Sequence, residues 1–173
     1  MNPIAEAYKT YSPTLVRVGE VIVFIDQRLE EIRLAYAQDF LVRWGNMYEA
    51  GVFPEWAPHY ELGTRCYDNA MQLVALRPEL IYVEGFLLIH DGGKAVPLAH
   101  AWCVTKDKQV VDPTRGHGQR KPGLAYFGVP IKADYSETWK KYTGNYGLLD
   151  GDPVGDKRVG IYGDPPGLWL DKR

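Results

Sequence analysis

The spacing of apolar side chains separates a helical early part of the chain from a β-rich middle. Ile25, Leu29, Ile32, Tyr36, Phe40 and Trp44 recur every three or four residues, with Arg28, Glu30, Glu31, Arg33 and Gln38 mostly on the opposite side. One apolar face of a helix has that period, and it predicts a long helix from about residue 26 to about residue 47. The first 18 residues, interrupted by Pro3 and Pro13, read as an irregular arm. Residues 21–25 are ambiguous, because their β-branched side chains favour a strand while the pattern that follows is helical. Residues 51–63 carry Pro54 and Pro58 and read as a loop rich in aromatic rings: Phe53, Trp56, His59 and Tyr60. A short helix then begins, with Thr64 as N-cap and Arg65 and Cys66 as its first residues. Asn69, Ala70, Leu73 and Arg77 continue the Cys66 face, and Pro78 ends the helix.

Three strands are predicted next, at 80–89, 98–105 and 109–112. They are joined by turns at Asp91-Gly92-Gly93 and Lys106-Asp107-Lys108, short enough to demand an antiparallel meander. Beyond Asp112 the chain is rich in Gly and Pro. Tyr135, Trp139 and Tyr142 fall in helical register within a predicted helix at 132–142. Residues 144–173 read as a tail whose Leu148, Leu149, Ile161, Leu168 and Trp169 call for packing against the body. The expected fold class is α+β: a single domain over 1–173, with an arm (1–18), a core (19–143) and a C-terminal wrap or tail (144–173).

Composition narrows the functional classes. The 173 residues are 46% hydrophobic, ordinary for a water-soluble protein, and carry a net charge of −2. That charge argues against general affinity for nucleic acid or acidic membranes. The longest apolar run, residues 21–25, is far short of the roughly 18 residues that span a bilayer. The start of the chain lacks the basic and apolar stretches of a signal peptide, so a cytoplasmic location is expected. Two cysteines make no disulfide framework, and Cys66 and Cys103 are expected as free thiols. No close Cys or His pairs mark a structural zinc site, and no metal or cofactor is expected. The oligomeric state is left open.

The chemistry concentrates in Cys66, His100 and Asp112. A thiol at a helix start is stabilised as thiolate by the first-turn amides and the helix dipole. An imidazole beside it takes the proton and later returns it to a leaving group. A carboxylate behind the imidazole fixes its tautomer and steadies its positive charge. His100 lies mid-strand, sharing a face with Trp102 and Val104, while Ala99, Ala101 and Cys103 occupy the other. The small residues of that second face suit close packing, which is expected to leave His100 facing the Cys66 helix. Asp112 follows His100 by twelve residues across one tight turn, so a hairpin centred near Asp107 sets the two roughly opposite each other.

With the thiol on a helix and the other two on successive strands, this order resembles the transglutaminase-like branch of the papain-like cysteine superfamily. The wording His100-Ala101-Trp102 followed by Val111-Asp112-Pro113-Thr114 is similar to a pattern of its bacterial members. The resemblance covers residues 63–114, less than a third of the chain. Arylamine N-acetyltransferases resemble it more loosely. The resemblance implies Cys66 as nucleophile, His100 as base and Asp112 as orienting acid. The reaction it implies is acyl transfer from an amide or thioester of a peptide, protein or small acyl substrate, as hydrolase or transferase. It does not supply the second oxyanion donor; related enzymes often use a polar or aromatic residue upstream of the cysteine, which makes Trp56, His59 and Tyr60 the candidates, and with Trp102 they form the expected substrate-binding set. The family also contains inactive relatives, so the alternative is a binding or inhibitor protein that sequesters a peptide or small ligand.

Overall fold

The computed structural model describes residues 16–18, 21–23, 44–60, 65–91, 94–120, 125–144, 146–148 and 166–173. Most of the predicted long helix, at 24–43, and Thr64 lie outside these residues. Two short strands near the start, β1 (Val16–Val18) and β2 (Val21–Val23), pair antiparallel. Val16–Val18 therefore departs from the irregular arm expected over the first 18 residues, and residues 21–23 resolve as strand. The chain re-emerges at Trp44 and enters β3 (Asn46–Tyr48), which corrects the predicted helix end at residue 47. There the helical period has run out: Met47 points to solvent, Tyr48 into the core, and the segment pairs with a strand from much later in the chain.

The middle of the chain builds an antiparallel sheet. Helix α1 (Cys66–Leu76) precedes β4 (Ile81–Asp91), β5 (Lys94–Val104) and β6 (Val110–Val111), the expected meander. A 3-10 turn at Gly116–Arg120 leads to β7 (Ala125–Ile131), a strand not anticipated in the Gly/Pro-rich segment. β7 inserts between β3 and β4, giving the order β3-β7-β4-β5-β6. Helix α2 (Ala133–Thr143) and the short α3 (Pro166–Trp169) complete the described elements.

The sheet curls until its edges meet. Val110 N–H donates to Glu49 O (3.0 Å), and Glu49 bridges Gln109, so β6 touches the end of β3. Buried Gln119 seals the seam: its amide donates to Gly51 O (2.8 Å) and Val110 O (2.9 Å). Strand alternation then defines an inner and an outer face. The inner face is filled by Tyr48, Ile81, Val83, Leu87, Trp102, Val104, Val110 and Tyr126. On the outer face, Ala70, Met71, Leu73 and Val74 of α1 pack on Tyr82, Ala101, Cys103, Val129 and Ile131, with Leu148 and Leu170.

Two glycines let the strands close around the large inner rings. A Cβ on Gly85 would lie 2.1 Å from Phe127 O, and one on Gly128 would lie 2.5 Å from Glu84 O and 2.7 Å from the Trp102 ring. Gly85 pairs with both Gly128 and His100, so the row of the sheet that carries His100 has no side chain beside it on β4 or β7. After α2 the chain returns to the body. Asp171 N–H donates to Pro130 O, and the Arg173 guanidinium donates to Pro78 O and Leu80 O at the foot of β4.

Candidate active site

His100 and Asp112 form a buried pair. Imidazole Nε2 lies 2.8 Å from Asp112 Oδ2, with His100 only 6% exposed and Asp112 fully buried. The register is offset by two residues from direct opposition of His100 and Asp112. Cys103 pairs with Val111 and Val104 with Val110, which sets Trp102 beside Asp112 and His100 on the diagonal. A diagonal pair shares a face and stays within reach of long side chains, so the bond forms all the same. Burial on its own would lower the His100 pKa. The charge and hydrogen bond of Asp112, joined by those of Cys66, outweigh it and lift the imidazole to about 9. The surroundings of His100 thus favour its protonated form. With Nε2 engaged by Asp112, Nδ1 is the nitrogen left for the thiol.

Asp112 is held on every side. Its Oδ1 accepts the backbone N–H groups of Thr114 (3.0 Å) and Arg115 (3.0 Å), an Asx-type turn that caps the Asp-Pro-Thr segment. Its Oδ2 accepts the Tyr126 hydroxyl (2.9 Å) as well as His100. Its own N–H donates to Gln119 Oε1 (2.9 Å). Tyr126 and Gln119 are the site residues that sequence reasoning missed. Tyr126 sits on the unanticipated strand β7. Gln119 has no local signal, since its partners Gly51 and Val110 come from other segments.

Cys66 is the first residue of α1, with Arg65 at the N-cap position and no side-chain cap bond; the expectation had made Arg65 helical. The expected packing is also corrected. α1 lies on the outer face, where the Cys103 thiol donates to Ala70 O (3.3 Å), whereas His100 belongs to the inner face with Trp102 and Tyr126. The Cys66 thiol still acts on His100, as a hydrogen-bond partner and through its charge. β5 pairs with β6 only at Cys103 and Val104, so around His100 no β6 residue separates inner from outer face. Asn69, one helical turn from Cys66, ties α1 to this opening by donating to Thr114 Oγ1 (3.1 Å).

The expected substrate-binding residues divide. Tyr60 N–H donates to Pro113 O (2.8 Å), and the His59 ring packs on Gly116, whose positive φ suits the turn after Asp112. Both therefore flank the segment that carries Asp112. Trp56 instead stacks under the Arg77 guanidinium (4.1 Å), at the opposite end of α1 from Cys66. At about 1.5 Å per residue, that end is some 15 Å away. Trp102 is fully buried in the inner core against Tyr48 and Tyr126, which removes it from any substrate surface. His117 is exposed and lies edge-on to Phe53. His90 pairs with Ala95 along β4–β5.

Cys66 and Cys103 are both free thiols, yet differently placed. Burial first, then the charge of Asp112, pushes the Cys103 thiol far above its ordinary range, so it stays protonated. Among the described residues no helix is long and apolar enough to cross a membrane. No family model, curated protein or solved structure matches the chain.

Proposed function

We propose that the protein is a cysteine-dependent acyl-transfer enzyme of transglutaminase-like (papain-like) architecture, acting on an amide or thioester. The observation that carries the reading is the placement of His100 between Asp112 and the helix-start thiol of Cys66. Cys66 thiolate attacks the substrate carbonyl carbon and forms a tetrahedral oxyanion. The amide of Cys66, with no intrahelical acceptor at the first helical position, is the donor this reading assigns to that oxyanion. Collapse breaks the bond to the leaving group, which takes the Nδ1 proton of His100 and departs. Neutral His100 then removes a proton from water or an amine as it attacks the thioester, and Cys66 leaves as thiolate. His59 and Tyr60 flank the segment that carries Asp112, and Tyr60 is the stronger candidate for the second oxyanion donor because its backbone is anchored beside Asp112.

Thiol chemistry tests the reading. Iodoacetamide at pH 6 is expected to alkylate Cys66 quickly and to leave Cys103 unmodified until the protein unfolds, as read by peptide mass mapping. His100→Ala is expected to slow Cys66 alkylation by about 100-fold or more. Equal, slow reaction of both thiols in the folded protein would remove the enzyme reading and leave a ligand-sequestering role on the same fold.

A further inference from the structure

Asp112 Oδ2 serves two donors, and only one of them belongs to the proposed chemistry. A carboxylate offers about four lone-pair sites. Asp112 fills them with the Thr114 and Arg115 amides on Oδ1 and with His100 and Tyr126 on Oδ2. Tyr126 is fully buried on β7, opposite Leu87 of β4 and Tyr48 of β3, and its ring lies 6.4 Å from that of His100. A hydroxyl there is no accident of packing, since a phenylalanine would fill the same space without touching Oδ2. Burial first, then the neighbouring Asp112, holds the phenol far above its usual range, so it remains a donor throughout the working pH range.

We propose that Tyr126 is a positioning residue for His100, dividing the charge of Asp112 Oδ2 between its own hydroxyl and the imidazole so that the ring is held toward Cys66 without being locked to the carboxylate. The inference deepens the cysteine-enzyme reading and rests on it for its catalytic consequence. Its physical basis is competition at one oxygen. Each donor draws electron density from Oδ2 and weakens the bond to the other. An imidazolium gripped too tightly by Asp112 would be slow to release its proton to a leaving group. Among the described residues, the charged or titratable groups around His100 are Asp112 on the turn after β6, Cys66 on α1 and Tyr126 on β7; Arg115 acts on Tyr126 from the same turn. The facing position on β4 is Gly85, which contributes none.

The experiment is an NMR titration of the histidine side chains in the full chain, with His100 assigned by the signal that His100→Gln removes. In Tyr126→Phe the His100 pKa is expected to rise by about half a unit to one unit, because Oδ2 then concentrates its charge on the imidazolium. Replacing Tyr126 with 3-fluorotyrosine, a stronger donor of the same shape, is expected to move it the opposite way; this variant decides the matter if Tyr126→Phe fails to fold. A purely structural tyrosine predicts no shift with fluorotyrosine and, in Tyr126→Phe, a fall as the His100–Asp112 bond loosens; either result overturns the proposal. An unreactive Cys66 in wild-type protein, together with the expected shifts, overturns the enzyme reading and leaves Tyr126 in its role toward His100. A reactive Cys66 with an immobile His100 does the reverse.

Discussion

His100 couples the site to stability. Its pKa is raised in the folded protein to about 9, against 6.5 for the free side chain. A raised value means that the folded form binds the proton more tightly, so the added stability is complete below about pH 6.5 and is lost as pH climbs through about 9. The amount is on the order of 3 kcal/mol, from about 1.36 kcal/mol per pH unit. Urea unfolding across this window is expected to show the midpoint falling with rising pH. In Asp112→Asn the carboxylate charge is gone and burial dominates, so the His100 pKa is expected to drop below 6.5 and the stability loss to move to acid pH. A flat profile in wild-type protein would contradict the buried ion pair. At this scale the sequence was most legible. His100 and Asp112 are twelve residues apart across one hairpin, so local geometry brings them together even with the register two residues from direct opposition. Trp102 was misread because alternation shows which face a residue shares, but not whether that face points to solvent or inward.

Strand β7 decides how the elements assemble, and it was the element least visible beforehand. Ala125–Ile131 contains Gly128 and Pro130, residues that punctuate loops and weaken strands. Gly128 is nevertheless required where it stands. A Cβ there meets Glu84 O, backbone that cannot swing aside, and the Trp102 ring. Gly128→Ala is expected to destabilise by about 3 kcal/mol, the upper range for overpacking a core. Gly51→Ala is its control. The new methyl would meet only the end of the exposed Gln109 side chain, which can move away, so the cost is expected to stay under about 1 kcal/mol by the same urea titration. Helix α1 was legible because Cys66, Asn69, Ala70 and Leu73 recur at helical spacing, and all four are buried. Its side of the sheet was not legible. Either face of β5 offered a coherent pattern, and the small Ala101 and Cys103 turned out to be the ones the helix needed for close approach.

Closure of the sheet is a property of the whole molecule, and Gln119 is its clasp. One side chain joins the loop after β3, the strand β6 and the backbone of Asp112. Gln119→Leu would leave three main-chain groups without this partner, at about 1–3 kcal/mol for each that stays buried and unpaired. Unfolding at lower urea is expected, along with alkylation of Cys103 under conditions where the wild-type thiol is protected. Unchanged protection of Cys103 would place the closure elsewhere. The sequence by itself determined the features that need only near neighbours: the short helix that carries Cys66, the β4–β5–β6 meander, and a histidine and an aspartate brought together by one hairpin. Tertiary structure alone decided the rest: the insertion of β7 between β3 and β4, the inward burial of Trp102, the attachment of Tyr126 to Asp112, and the meeting of Cys66 with His100. The physical reason is range. Hydrophobic period and turn chemistry act over a few residues, whereas these contacts join segments tens of residues apart and exist only once the sheet has curled on itself.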